Sequence, residues 1–118
     1  MSYVKCSDPE GVYTEISKLV DLNKVNVQRD GRKVYLFANG ISKGEAVKRF
    51  IRKGKDRTIL SAGDNLMDVS MLNNSDFAFA NKTITDLITS KNKITIEEMP
   101  FSDGICRYIA EMRMKGRI

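Results

Sequence analysis

The chain has 118 residues and a mass of 13.3 kDa, which is enough for one compact domain and too little for two ordinary ones. Its composition is 42% hydrophobic and 30% charged, and no apolar run approaches the ~20 residues that span a bilayer, so we expect a soluble protein with no membrane partner. The net charge of +5 favours anionic partners, and the absence of histidine excludes Ser-His-Asp and Cys-His nucleophilic systems and histidine-bound zinc.

The N-terminal stretch MSYVKCSDPEG lacks both the apolar core and the small-residue cleavage site of a secretory signal. Cys6 and Cys106 are far apart and have no metal-like spacing, which is typical of inert thiols in a reducing compartment. We therefore expect a cytoplasmic location.

A first helix is predicted over EGVYTEISKLVDL, where apolar residues recur at helical spacing after the start signal Ser7-Asp8-Pro9. The alternating stretch KVNVQ predicts a strand, Asp30-Gly31 a turn, and KVYLFA a second strand, so the two strands should form a hairpin. Asn39-Gly40 ends this part of the chain. The residues up to Gly40 are therefore predicted to form a module of their own.

The next segment, SKGEAVKRFIRKG, is predicted to be a helix because Ser42 and Glu45 have the spacing of a capping box. Its apolar residues form a stripe that we expect to face a core. The members of this stripe are Ala46, Val47, Phe50 and Ile51.

From here on, strand and helix patterns alternate. In chain order they are a buried strand RTILSAG, a helix NLMDVSMLNN, a strand DFAFA, a short helix TITDLITS, a strand KITIE and a closing helix FSDGICRYIAEMRM. In the helix after RTILSAG, the residues expected to face partly inward are Leu66, Met67, Val69 and Leu72. The alternation implies an α/β fold with a parallel sheet and helices on its faces.

Two aspartates, Asp64 and Asp68, follow the strand RTILSAG at a spacing of one helical turn. The carboxyl ends of parallel strands form the ligand crevice of such a sheet, and paired carboxylates there could hold a hard divalent ion such as magnesium. The alternative is that Asp64 caps the helix and Asp68 is a solvated acid in its first turn.

Lys43 opens the helix that follows the hairpin, where a cation opposes the helix dipole unless an anion lies nearby. Ser42, Lys43 and the free N–H groups of that helix end could hold a phosphate oxygen, although an exposed surface lysine is the alternative. A basic cluster surrounds the other end of the helix. Its members are Lys48, Arg49, Arg52, Lys53, Lys55 and Arg57.

A solvated face is the expected state of this cluster, because basic residues complement the C-terminal end of a helix dipole. Nucleic-acid binding would need interleaved aromatic residues, and only Phe50 is present, at a position predicted to face the core. Nucleic acid is therefore not among the expected partners.

Taken in order, ISKGEAVKRF, ILSAGDNLMDVSML, DFAFAN and FSDGICRYI resemble the C-terminal half of a haloacid dehalogenase (HAD) superfamily phosphatase. The resemblance covers about residues 33 to 112. Within the superfamily, the sequence is similar to the Cof-type subgroup, which carries a large α/β cap. It implies that residues 39–118 form the C-terminal part of the core, with a partial Rossmann-like parallel sheet flanked by helices. Residues 1–38 would be the last part of the cap returning to that core.

The same resemblance implies roles for individual residues. Lys43 would steady the aspartyl nucleophile and the substrate phosphate, Asp64 and Asp68 would bind Mg2+ directly or through water, and Asn81 would lie near the rim of the active site. The reaction of the complete family is hydrolysis of a phosphate monoester through a phosphoaspartate. A small phosphorylated metabolite is then the expected substrate.

The chain departs from the family pattern, because it contains no DxDx[TV] motif for the nucleophile and its general acid, and no motif II strand. Met67 and Ala80 replace the usual Asn and Gly. Without the strand that carries the nucleophile, RTILSAG would have an open edge, which an N-terminal half in another chain or a second copy could cover. The alternative function is a catalytically dead HAD-like binding or oligomerisation module.

Overall fold

A computed structural model describes residues 1–53 and 57–118, which form two compact units, Met1–Ser42 and Lys43–Ile118. The first unit contains β1 (Ser2–Lys5), α1 (Pro9–Leu19), β2 (Val25–Asp30) and β3 (Lys33–Ala38). The second contains α2 (Lys43–Lys53), β4 (Leu60–Gly63), a 3-10 turn (Leu66–Asp68), α3 (Val69–Asn73), β5 (Phe77–Asn81), a second 3-10 turn (Thr85–Leu87), β6 (Lys93–Ile96) and α4 (Phe101–Met114). Within the described ranges, no helix has the length and apolar character needed to cross a membrane.

The first unit is an antiparallel sheet in the order β1-β3-β2 with one helix against it. Asp8 caps α1 by accepting a hydrogen bond from the Gly11 N–H at 3.0 Å, and Pro9 occupies the first turn, where its missing N–H does no harm. Gly31 takes a φ of +54° in the tight turn that joins β2 to β3, which explains a glycine there.

The helix α1 covers one face of this sheet. Val27 and Val34 are buried on that face, and Arg29, which lies on the same face, pairs with Glu10 of α1 at 3.7 Å. Side chains alternate along a strand, so the intervening residues of all three strands point to the opposite face.

The second unit is a parallel sheet in the order β4-β5-β6. The central strand β5 separates two cores, because its alternate side chains point to opposite faces. Ala78 and Ala80 pack with Leu72 of α3, whereas Phe77 and Phe79 pack with residues of α4. On the α3 face the buried members are Leu72, Ala78, Ala80, Ile84 and Ile88, and on the α4 face they are Phe77, Phe79, Ile96 and Met112.

The predicted fold class is confirmed, since the chain is α/β with a three-stranded parallel sheet flanked by helices. The hairpin, the strand β3 and the helix α4 also lie where the patterns predicted them. The assignment of residues 1–38 to a cap and of 39–118 to a core stays a prediction; the structure divides the chain after Ser42.

Several predicted elements are wrong in detail. TITDLITS forms only the 3-10 turn Thr85–Leu87 instead of a helix, and the helix after β4 begins with a 3-10 turn. Leu66 was expected to face inward but is 63% exposed. RTILSAG was predicted as a buried strand, yet β4 is half-buried for most of its length because it lies at the edge of the sheet. The strand β1 was not predicted at all.

The apolar stripe of α2 was also expected to be buried. Phe50 is 49% exposed and Ile51 44% exposed, so this part of the stripe has no full cover within the described chain. The Arg57 guanidinium lies 5.0 Å from the centre of the Phe50 ring, a cation–π contact that shields one side of it. In the predicted basic cluster, Lys55 and the side chains of Arg52 and Lys53 lie outside the described residues.

Candidate active site

The carboxyl end of β4 is built around a close approach between Gly63 and Asp68. Gly63 is buried, and a Cβ atom placed on it would overlap Asp68 Cβ and lie 2.7 Å from its carboxyl carbon. Only a residue without a side chain allows the following turn to fold back this tightly. Gly63 therefore determines where the Asp68 carboxylate lies.

Asp68 is 3% exposed, and both of its carboxylate oxygens have partners within the protein. Oδ2 accepts hydrogen bonds from the backbone N–H groups of Asp64 at 3.1 Å and Asn65 at 3.3 Å. Oδ1 forms an ion pair with Lys43 Nζ. A buried carboxylate needs such compensation, because its desolvation costs several kcal/mol when it is unpaired.

The turn that contains Asp68 is held at both ends. The Asn65 side chain accepts a hydrogen bond from the Met67 N–H at 2.9 Å, while Asp68 accepts the N–H of Asn65 in return. This reciprocal arrangement is a capping box, with asparagine and aspartate in place of the more common Ser and Glu. Asp68 is thus a capping residue and an ion-pair partner together, and the solvated alternative considered for it is wrong.

Lys43 reaches Asp68 because α2 packs unusually closely against α3. The Gly44 N–H donates to Ser70 Oγ at 3.2 Å, and a Cβ on Gly44 would lie 2.7 Å from both Ser70 Cβ and the Ser70 carbonyl oxygen. A larger residue at position 44 would push the start of α2 outward. Gly44 and Ser70 were missed in the sequence, although a glycine in the first turn of a predicted helix is a signal of close packing.

Asp64 lies at the surface beside this buried pair. Within the described residues its carboxylate has no hydrogen bond or ion pair, whereas its backbone carbonyl accepts from Thr83 Oγ1 at 3.4 Å. Asp64 therefore does not cap the turn with its side chain, which was the alternative considered for it. Its carboxylate is available to a ligand.

Asn81 ends the neighbouring strand β5, at the same edge of the sheet as Asp64. The register pairs Gly63 with Ala80, so the residues that follow them are brought together. Asn81 Oδ1 accepts hydrogen bonds from the N–H and the hydroxyl of Thr83, both at 3.0 Å. Thr83, a residue not singled out in the sequence, thereby links the Asn81 side chain to the Asp64 backbone.

The structure thus brings four of the predicted site residues to one end of the parallel sheet. Lys43 and Asp68 are in direct contact, and Asp64 and Asn81 are joined through Thr83. Ser42 precedes α2 in sequence and ends the first compact unit, and its phosphate contact stays a prediction.

A comparison with protein-family models decides the wider relationship. The model described as haloacid dehalogenase-like hydrolase matches residues 4–109, which is most of the chain. The chain belongs to the haloacid dehalogenase-like hydrolases. A search of curated proteins found no significant match.

Members of the HAD-like family generally use Mg2+, so the donor set can be tested against that ion. Hard cations need several oxygen ligands. Within residues 1–53 and 57–118, no three Asp, Glu or Cys side chains come together as a metal-binding group. Asp64 fits as one carboxylate ligand, but the oxygens of Asp68 are already engaged. The described residues of this HAD-like chain therefore fit one part of a magnesium site and do not complete it.

A separate cleft of about 490 Å³ lies between β6 and α4 and is lined by Thr95, Glu97, Glu98 and Tyr108. None of the predicted site residues lines it. Arg107 lies beside it in ion pairs with Glu98 and, at 2.9 Å, with Glu111. The hydrogen bond from Arg107 lowers the pKa of Glu98, so this carboxylate is already paired.

Proposed function

We propose that this chain is the C-terminal portion of a Cof-type, magnesium-dependent phosphohydrolase of the HAD family that acts on a small phosphorylated metabolite. The observation that carries the proposal is the buried Asp68 carboxylate, held by Lys43 and by the amides of Asp64 and Asn65 beside an exposed Asp64. Positive and negative groups are concentrated at the end of a parallel sheet, where ligands of α/β folds bind.

In this proposal Lys43 and Asp64 touch the ligand, and Asp68 positions Lys43. Its carboxylate holds the lysine ammonium in one orientation, which avoids the entropy loss of fixing a long side chain when the substrate binds. A bound phosphate would meet the Lys43 charge as negative charge develops on the phosphoryl oxygens. Asp64 would offer its carboxylate oxygens to the cation or to water around it, and Asn81 would lie beside them at the rim of the phosphate site.

Magnesium, when bound, would neutralise the phosphoryl oxygens. The remaining ligands and the nucleophilic aspartate would come from a segment outside these 118 residues, since no Asp-x-Asp sequence occurs among them. The natural place for such a segment is the free edge of β4, where a further strand could add to the sheet. The proposal also includes a cytoplasmic location, which the two free cysteines support.

Hydrolysis of p-nitrophenyl phosphate by the purified chain in the presence of MgCl2 tests whether the nucleophile lies outside these 118 residues. We expect no hydrolysis above the rate without protein, because the nucleophile is missing. Hydrolysis that is abolished in Asp64→Asn and retained in Asp103→Asn, which changes an exposed aspartate of α4, would overturn it.

A second candidate function, a catalytically inactive binding or oligomerisation module, is favoured by the β4 edge itself. The Ile59 carbonyl accepts the Phe77 N–H at 3.1 Å, so alternation directs the backbone groups of Leu60 and Ala62 away from β5. No described strand pairs with them. Exposed edges of this kind add strands from other chains.

The mass of the chain in solution, measured by light scattering after size-exclusion chromatography, tests this second candidate. A dimer that becomes a folded monomer in Ala62→Pro would support it, because proline blocks pairing at an outward-facing edge position. Lys82→Ala, which changes an exposed residue next to β5, serves as the control. A wild-type chain that is monomeric at high concentration would reject the self-association.

A further inference from the structure

The first unit has an open sheet face with an ordered arrangement of side chains. This face lies opposite α1, and the register places its residues in cross-strand rows. One row contains Tyr3, Tyr35 and Gln28, and the row on one side of it contains Lys5, Lys33 and Asp30. On the other side, Phe37 lies opposite Asn26. Aromatic rings thus occupy the middle of the face, with ammonium groups at one end and amides along β2.

The aromatic rings of this face are exposed or half-buried. Tyr3 is 57% exposed, and its ring centre lies 5.7 Å from that of Tyr35 with a tilt of 42°. An exposed ring packed against a second, half-buried ring leaves apolar surface in contact with water, and covering that surface is favourable. They provide a platform on which another flat ring can stack.

The charged row lies within reach of these rings. Lys33 Nζ is 5.1 Å from the centre of the Tyr3 ring, a cation–π contact that holds the ammonium beside the platform. Lys5 lies directly opposite Lys33 across the β1–β3 pair. Asp30 is the acidic member of this row, which leaves an excess of positive charge. An anionic group attached to a stacked ring would therefore meet two ammonium groups.

Gln28 adds a third observation. Its side-chain Oε1 is buried and has no hydrogen-bond partner among the described residues. An unpaired buried acceptor is unfavourable, and a donor from a ligand that reaches it would satisfy it. Gln28 lies opposite Tyr35 in the aromatic row, so such a donor would belong to the stacked ring.

From these three features we propose that the open sheet face of the first unit binds a nucleoside monophosphate. The base stacks on Tyr3 and Tyr35, an exocyclic amino group of the base donates to Gln28, and the phosphate binds Lys33 and Lys5. The face has only two lysines, opposed by one aspartate, which suits one phosphate better than the chain of phosphates in a polynucleotide. The inference does not depend on the function proposed for Lys43 and the aspartates.

Isothermal titration of the full chain with adenosine 5′-monophosphate, and separately with ribose 5-phosphate, tests the proposal. The two ligands share the sugar phosphate and differ in the base. We expect the nucleotide to bind about tenfold more tightly, the range typical of base stacking on an aromatic side chain. Equal affinities would overturn the proposal, since they would show phosphate binding alone.

Variants identify the face. Tyr3→Ala and Lys33→Gln should each weaken nucleotide binding by about tenfold, and Tyr3→Phe, which keeps the ring, should retain it. Tyr13→Ala is the matched control, because it removes an exposed tyrosine from α1 on the other side of the sheet. Unchanged affinity in a folded Tyr3→Ala would overturn the proposal. If circular dichroism shows that Tyr3→Ala does not fold, unchanged affinity in Lys33→Gln overturns it instead.

The titration must also distinguish a nucleoside monophosphate from a polynucleotide as the ligand of this face. A single-stranded oligonucleotide that binds far more tightly than the mononucleotide, with an affinity that falls steeply with salt, would overturn the proposal in favour of polymer binding. An oligonucleotide that binds no more tightly per nucleotide than the monophosphate would support it.

Discussion

Asp68 is the residue on which the candidate site depends, because its buried carboxylate joins three parts of the second unit. The amides of Asp64 and Asn65 fix one oxygen and the Lys43 ammonium fixes the other. The lysine is about half exposed, so water competes for it and the ion pair contributes less than a fully buried one. Removing the lysine still leaves a negative charge in a place that water hardly reaches.

This imbalance leads to a prediction about the pair. Lys43→Met should lower the free energy of unfolding by about 1–3 kcal/mol, because it leaves the Asp68 charge without its cation. Adding Asp68→Asn to Lys43→Met should cost less than Asp68→Asn alone, with a coupling of about 1 kcal/mol. Urea denaturation of the three variants gives these values.

Lys48→Met is the control for that cycle. Lys48 lies on the same helix and forms an exposed ion pair with Glu45 at 2.9 Å, a kind of pair that contributes about 0–1 kcal/mol. Equal losses for Lys43→Met and Lys48→Met would contradict the view that Asp68 depends on Lys43.

Glu98 gives a prediction about pH. The hydrogen bond from Arg107 lowers the pKa of Glu98 from its ordinary value of 4.5. A lowered pKa in the folded state means that the pair stabilises the fold above about pH 4.5 and ceases to do so as the pH falls through the lowered value. Glu98→Gln should therefore be less stable than the wild type at neutral pH, and the difference should vanish in strong acid.

Urea denaturation at neutral and acidic pH measures this difference. Glu97→Gln is the matched control, because Glu97 is exposed and its contact with Lys82 is long, at 4.0 Å. A stability difference for Glu98→Gln that is the same at both pH values would contradict the assigned cause of the pKa shift.

The elements that form the site are positioned by a glycine contact between α2 and α3. Gly44 lies against Ser70, and the Gly44 N–H donates to the Ser70 hydroxyl at 3.2 Å. Helical propensity alone would favour alanine at this position by about 1 kcal/mol. The packing of the two helices therefore outweighs the local preference of the residue.

Gly44→Ala should accordingly destabilise the chain by about 1–3 kcal/mol, because its Cβ would lie 2.7 Å from Ser70 Cβ and from the Ser70 carbonyl oxygen. Ser70→Gly in the same chain should recover part of that loss, since it removes Ser70 Cβ, one of the three atoms that the new Cβ would approach within 3 Å. Thermal unfolding measures both. A stabilised Gly44→Ala would mean that the helices are further apart than the structure has them.

How well each element could be predicted from the sequence depends on how local its signals are. The bounds of β3 match the prediction because its apolar residues end at a turn on each side, and α4 matches because its apolar residues recur at helical spacing. The strand β1 has only exposed residues and exists through pairing with β3, so its own sequence carries no signal. TITDLITS has a helical pattern but forms only the 3-10 turn Thr85–Leu87, and nothing in the structure explains the difference, since Ile84 and Ile88 would share one buried face in a helix as well.

The chain consists of two compact units, and the sequence predicted which strand ends meet better than it predicted what their side chains contact. The α/β pattern alone predicts that the carboxyl ends of β4 and β5 lie together, which accounts for Asp64, whereas Asn81 was expected only from the family resemblance. Whether Asp68 faces a ligand or its own backbone depends on the tight turn at Gly63, which pattern reading does not resolve. The open aromatic face required the strand register, because Tyr3 lies in the unpredicted strand β1.

The proposed cation and phosphate site depends on Asp64 as its free carboxylate, and paramagnetic broadening by Mn2+ in an NMR spectrum of the labelled chain tests this directly. Mn2+ prefers the same oxygen ligands as Mg2+, and its broadening reveals even weak binding. We predict selective broadening of the amide signals of Gly63, Asp64 and Thr83, lost in Asp64→Asn and retained in Asp103→Asn. Broadening centred on Glu97 and Glu98, or unchanged in Asp64→Asn, would contradict it.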